Sequence, residues 1–178
     1  PYARVTGGSF GSAEAEGGLG YESEHTRLSV NAGYRQVDGF SAQNPDGFSY
    51  HPDDDGFEAA SLGVKGSTDA TLGRLEYSLL AIDNESELFT DFGFFTADDD
   101  SRRYQLNWQN QLELSSASQL SFGLDYYLEE GESAGAWDQD RENAGLFALY
   151  DHRFDRVHLQ AGGRLDDNSR FGSEFTGQ

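Results

Sequence analysis

The chain has 178 residues, a formal net charge of −20 and a mean hydropathy of −0.68. The charge excludes a nucleic-acid partner, because phosphate contacts need a basic face. No apolar run approaches the roughly 18 residues that a membrane-spanning helix needs, so a helical membrane protein is excluded too. A membrane β-barrel is not excluded, since its apolar face uses only every second residue.

Alternation of apolar and polar residues predicts nine β-strands, because successive side chains leave a strand on opposite faces. The predicted strands cover residues 2–8, 13–22, 26–38, 56–66, 70–84, 103–114, 120–129, 141–151 and 157–166. Leu80 and Ile82 interrupt the alternation of the fifth strand, and nothing in the sequence explains them. The 22 glycines are suited to twisted strands. The chain has no cysteine, so disulfides are excluded.

The pattern is clearest between Ser101 and Glu130. One side of this segment is apolar over two successive strands joined by the turn 115–118, and it carries Tyr104, Leu106, Trp108, Leu112, Leu114, Leu120, Phe122, Leu124, Tyr126 and Leu128. Ordinary strands have about 5–6 residues, whereas a tilted strand that crosses a bilayer needs about 9–11. The length therefore predicts a transmembrane β-hairpin.

The connections between the predicted strands alternate in length. Long ones are predicted at 39–55, 85–100 and 131–140, and short ones at 67–69, 115–118 and near 155. Outer-membrane barrels have short periplasmic turns and long extracellular loops. The predicted fold class is therefore an all-β, antiparallel transmembrane β-barrel, with a soluble all-β sandwich as the alternative.

The polar side of the strands is predicted to line the lumen, because Arg or Lys facing lipid costs about 2–4 kcal/mol at the bilayer midplane. The predicted lining consists of Glu14, Glu16, Arg27, Arg35, Arg103, Gln105, Asn107, Gln109, Asp125, Gln160 and Arg164.

The long connections are acidic. Asn44-Pro45-Asp46-Gly47 is followed by Pro52-Asp53-Asp54-Asp55-Gly56, and Ca²⁺ takes about 6–8 oxygen ligands of this kind. A full EF-hand pattern is absent, so a solvated acidic loop is an equal alternative. The other two long connections are also acidic, at Asp98–Asp100 and Asp138–Asp140. A cation shared between the three loops is a further hypothesis. The four histidines lack zinc-site spacing, and no hydrolase or phosphate-loop motif is present, so an enzyme is not expected.

The segments 38–45 and 52–57 resemble the early barrel of TonB-dependent cobalamin receptors. The segments 104–110 and 143–147 resemble strands of the same proteins, and the clearest likeness is Arg-Leu-Asp-Asp-Asn-Ser-Arg-Phe-Gly at 164–172. This resemblance implies a barrel of about 22 strands, closed by an N-terminal plug, that imports corrinoids with energy supplied through TonB. It also implies calcium in the extracellular loops. Asp53 and Asp55 match the calcium-ligating acids, and Asp46 or Asn44 would replace a third.

These observations predict active, TonB-dependent transport of cobalamin or a related corrinoid across the bacterial outer membrane. The expected partners are the corrinoid, membrane lipid and lipopolysaccharide, and TonB through a plug that residues 1–178 do not contain. Nine strands are an odd number, so we expect an incomplete copy of a larger barrel. The alternatives are a siderophore receptor, a passive porin-like channel and a soluble calcium-dependent all-β binding module.

Overall fold

The computed structural model describes residues 1–41, 44–47, 54–71, 73–90, 95–134 and 136–178. In these ranges, ten strands form one antiparallel sheet in which each strand pairs with its neighbours in sequence. They are β1 (Tyr2–Gly7), β2 (Ala13–Glu22), β3 (Thr26–Val37), β4 (Phe57–Ala70), β5 (Gly73–Thr90), β6 (Phe95–Ser115), β7 (Ser118–Ser133), β8 (Trp137–Phe154), β9 (Val157–Asn168) and β10 (Gly172–Gly177). Within the described ranges, no helix has the length and apolar character needed to cross a membrane.

The all-β, antiparallel prediction is confirmed, but the sheet has one strand more than predicted. The missed strand is β10, which has only six residues. Its one large apolar side chain, Phe175, is too little for a period of two to be recognised.

Two of the three predicted long loops are wrong. β5 and β6 extend through most of 85–100, and β7 and β8 extend through most of 131–140. The alternation ends there but backbone pairing continues, because an antiparallel ribbon needs only its own hydrogen bonds. β4 likewise continues to Ala70, so the turn predicted at 67–69 comes after Ala70. The connection between Val37 and Phe57 is long, as predicted.

One face of the sheet is apolar across its width. Val30, Val64, Leu79, Leu106, Tyr126 and Ala144 occupy one row in register on six successive strands. Among the described residues no hydrophobic side chain is buried, and Leu62 and Leu79 remain 49% and 50% exposed. The apolar face therefore covers no dry interior, as predicted for side chains that contact lipid.

The opposite, polar face encloses a concavity of about 800 Å³ whose lining includes Arg27, Lys65, Asn107 and Asp125. The predicted lining residues lie on this face, since the register places them in alternation with the apolar row. Leu80 also lies on the polar face, opposite Gly63. A Cβ on Gly63 would meet Leu80 Cδ1 at 4.0 Å, so Leu80 covers a position that has no side chain.

The apolar face ends in a row of carboxylates. Six residues along each strand from the apolar row, five acids lie side by side in register: Glu58, Glu85, Asp100, Glu132 and Asp138. Six residues of strand span about 20 Å, and like charges directly opposite each other destabilise a sheet. Glu58 was predicted on a strand, whereas the other four acids were predicted to lie in loops, and the structure places all five on strands. Since charges that face lipid are costly, the apolar face has left lipid by this row.

Arg102 lies in the neighbouring row of the same face, between Asp83 and Glu130. Its Nε donates a hydrogen bond to Asp83 Oδ1 at 3.3 Å. Arg102 thus supplies one permanent positive charge next to the acidic row.

Candidate functional site

The middle of the polar face is organised by Arg164 of β9. Its Nη1 and Nη2 donate to Oδ1 and Oδ2 of Asp125 on β7 at 2.7 and 2.8 Å, and its Nε donates to Asp166 Oδ2 at 2.7 Å. A guanidinium that makes two parallel bonds to one carboxylate is a strong and directional pair. Since Asp125 and Arg164 lie on either side of β8, this ion pair joins three strands.

Gly145 of β8 makes room for this ion pair. It is paired with Asp125 on one side and with Asp166 on the other. A Cβ at this position would stand 2.1 Å from Arg164 Nη2 and 2.7 Å from Asp125 Oδ2. Because real Cβ atoms do not approach that closely, the guanidinium can cross β8 only above a glycine.

A second cluster lies further along the strands, towards the end where β3 and β4 are joined. Arg103 Nη1 lies 3.0 Å from Glu129 Oε1, and Arg141 Nε donates to Glu129 Oε2 at 3.0 Å. The two guanidinium carbons lie 5.7 and 5.5 Å from the centre of the Tyr127 ring, within range of a cation–π interaction. One carboxylate and one aromatic ring therefore hold two arginines side by side.

The turn between β9 and β10 presents a third arginine. Asn168 Oδ1 accepts hydrogen bonds from the backbone N–H groups of Arg170 and Phe171 at 3.0 and 3.2 Å. Ser169 Oγ accepts from the backbone N–H of Glu142 at 2.9 Å, which attaches the turn to β8. Gly172 ends the turn with a φ of 79°, a conformation that favours glycine.

The side chain of Arg170 then reaches back over β8. Its Nε and Nη2 donate to the backbone oxygen of Asp140 at 3.1 and 3.0 Å, and its Nη1 donates to Gln139 Oε1 at 3.0 Å. Arg170 lies in the segment 164–172 that resembles cobalamin receptors, but no role was predicted for it. The available signal was the Asn-Ser-Arg-Phe-Gly sequence, in which Asn and Gly are typical turn formers.

The predicted calcium ligands are only partly described. Asp53 lies outside the described residues. Asp46 is exposed in a turn, and its backbone N–H donates to Asn44 Oδ1 at 3.1 Å, while Asp55 is half-buried. In the part of the chain that the structure describes, no three acids or histidines come close enough to hold a metal ion. The predicted calcium site, which includes Asp53, stays a prediction.

An antiparallel meander with a lipid-type apolar face and a polar opposite face defines the class of outer-membrane β-barrels. The family model of the TonB-dependent receptor-like β-barrel matches residues 3–178, and the chain belongs to that family. The protein is therefore located in the bacterial outer membrane, which excludes the soluble binding module. The family consists of receptors and transporters rather than enzymes.

Several solved structures are similar to the chain. The ferripyoverdine receptor of the Pseudomonas aeruginosa outer membrane, bound to ferripyoverdine, has 14% identity and a TM-score of 0.48 over 94% of this chain and 31% of the receptor. OmpT of Vibrio cholerae with loop L8 deleted has 13% identity and a TM-score of 0.44 over 94% of this chain and 52% of OmpT. The chain thus spans about half the length of OmpT. No curated protein matches it.

Proposed function

We propose that this chain forms part of the wall of a TonB-dependent transporter that imports its substrate actively across the outer membrane. The observation that carries the proposal is the polar face, whose charges are joined across strands in pairs such as Arg164 with Asp125. A face of this kind suits a lumen filled by water and a polar plug. The family supports TonB as the source of energy, which distinguishes this function from a passive channel.

The substrate that we propose is cobalamin or a related corrinoid. Support comes from the sequence segments 52–57 and 164–172, which resemble those of cobalamin receptors. β3 and β9 run in the same direction in the sheet, so the connection after β3 and the turn after β9 lie at the same end. Both segments could then contact one substrate at the mouth of the barrel. Import of a ferric siderophore is the competing proposal.

Uptake measurements test this function. The gene that encodes the chain is expressed in a bacterium that lacks its own cobalamin receptor, and uptake of radiolabelled cyanocobalamin is compared with uptake of ferripyoverdine. We expect cobalamin uptake that disappears when TonB is deleted. Uptake that persists without TonB would indicate a passive channel, and uptake of the siderophore alone would replace the corrinoid proposal.

We also propose that Asp53, Asp55 and Asp46 help to hold calcium at the mouth. Carboxylate oxygens are suitable ligands for Ca²⁺. The test compares calcium-dependent cobalamin binding in Asp55→Asn with that in Asp54→Asn, because Asp54 occupies the variable position of the Pro-Asp-x-Asp-Gly segment. Calcium dependence lost only in the first variant supports the site. Equal behaviour of the two variants would indicate a solvated acidic loop.

A further inference from the structure

A second concavity of about 550 Å³ lies on the polar face near the turn between β9 and β10. Its lining includes three arginines, Arg103, Arg141 and Arg170, together with Asn84, Gln139 and Phe171. Arg102, Glu130 and Asp140 also border it, but they belong to the row that alternates with Arg103, Glu129 and Arg141 in the register. The side chains of that second row project from the opposite face.

The charges in this concavity do not cancel. Arg103 and Arg141 share the single carboxylate of Glu129, which leaves one positive charge in excess. Arg170 donates to a backbone carbonyl and to an amide oxygen, and both of these acceptors are neutral. Three guanidinium groups therefore face one carboxylate in a chain whose net charge is −20. A local excess of positive charge against that background attracts an anion.

The arginines are also positioned in advance. Tyr127 lies under two of them, and the side chain of Asn168 fixes the turn that carries the third. Guanidinium groups bind phosphate and carboxylate oxygens through pairs of parallel hydrogen bonds. A site that is ordered before binding loses less conformational entropy when the anion arrives. Phe171, which is 83% exposed, adds an apolar surface beside the charges.

We propose that Arg103, Arg141 and Arg170 form an anion-binding subsite that holds a phosphate or carboxylate group of the substrate as it enters the barrel. That the anion belongs to a substrate entering the barrel rests on the proposed transport function, whereas anion binding itself does not. The subsite gives a role to the Asn-Ser-Arg-Phe-Gly turn, since Asn168 orients Arg170 towards β8.

The test measures binding of inorganic phosphate and, separately, of citrate to the purified full-length protein in detergent at low ionic strength by calorimetry. Arg170→Gln is the main variant, because it leaves the shared carboxylate with both of its partners. Arg27→Gln is the control, since Arg27 lies on the same face but pairs with Glu22 at 2.8 Å. We expect Kd to rise about tenfold in Arg170→Gln, as loss of one charge-assisted contact implies, and to stay within about twofold in the control.

Binding of either anion that weakens in Arg170→Gln alone supports the subsite and identifies the preferred oxygen group. No binding of either anion, an unchanged Kd in Arg170→Gln, or an equal loss in Arg27→Gln would overturn it. Transport is measured separately. If Arg170→Gln loses anion binding while the natural protein takes up neither the corrinoid nor the siderophore, the subsite is supported and the transport proposal is wrong. If the substrate is taken up but the anion Kd of Arg170→Gln is unchanged, the subsite proposal is wrong and the transport proposal is unaffected.

Discussion

Replacing Gly145 by alanine tests whether the Arg164–Asp125 ion pair depends on the absence of a side chain on β8. The added Cβ would stand 2.1 Å from Arg164 Nη2. Since the guanidinium is the end of a flexible side chain, it can move away, but the movement separates it from Asp125. The substitution should therefore break the two hydrogen bonds of 2.7 and 2.8 Å without unfolding the sheet.

The size of the effect follows from two opposing contributions. Hydrogen bonds to charged groups contribute about 1.5–3 kcal/mol, and solvent reduces this because the side chains of Arg164 and Asp125 are 34% and 26% exposed. Alanine in a strand gains about 0.5–1 kcal/mol over glycine. Gly63→Ala provides that gain alone, since its Cβ would meet nothing closer than 4.0 Å. The difference in unfolding free energy between the two variants should be about 1–2 kcal/mol.

The assay is urea unfolding of the full-length protein in phospholipid vesicles, followed by tryptophan fluorescence. Asp125→Asn completes a double-mutant cycle, because once the carboxylate is gone Gly145→Ala has no Arg164–Asp125 pair to disrupt, and the bonds of Arg164 to Asp166 lie within β9. In the Asp125→Asn background, Gly145→Ala should then stabilise as Gly63→Ala does. If Gly145→Ala stabilises the natural protein as much as Gly63→Ala does, or if the two changes are additive, the reasoning is wrong.

Two further predictions test the two faces and the acidic row. Leu79→Lys should destabilise the barrel in vesicles by about 2–4 kcal/mol, the cost of lysine facing lipid. Leu80→Lys changes the next residue, on the polar face, and should cost far less. Equal losses of unfolding free energy in the two variants would contradict the assignment of the faces. Asp100→Asn should raise the thermal midpoint at low salt by relieving about 0.2–1 kcal/mol of repulsion from Glu85 and Glu132, and the gain should disappear in about 1 M salt, where screening is strong. A gain that is independent of salt would refute the repulsion.

The strands could be predicted because apolar and polar residues alternate within each of them. Leu106 and Trp108 alternate with Asn107 and Gln109 whatever lies beside them, so the two faces are readable without knowing the neighbours. The ends of the strands were harder to predict from the sequence. Pairing of Asp100 with Glu132 continues a ribbon through residues whose composition is typical of a loop, and composition does not report backbone hydrogen bonds.

The site was predicted as a face but not as a set of contacts. Asp125 and Arg164 were both assigned to the polar lining, yet their ion pair joins residues 39 apart in sequence. The contact of Arg170 with Gln139 joins residues 31 apart. No sequence motif marks either pair, because the spacing between the partners depends on the lengths of the intervening strands and turns.

The sequence by itself therefore determined the fold class, the identity of the two faces and the membrane environment, since a period of two is a local consequence of the pleat. Only the tertiary structure decided which side chains meet across strands, because register depends on the partner strand and on the geometry of every turn between them. A shift of one residue in the pairing of β7 with β8 would take Gly145 away from Asp125. The arginines that we propose as an anion subsite come together for the same reason, in the register of β6, β7 and β8 and in the turn that follows β9.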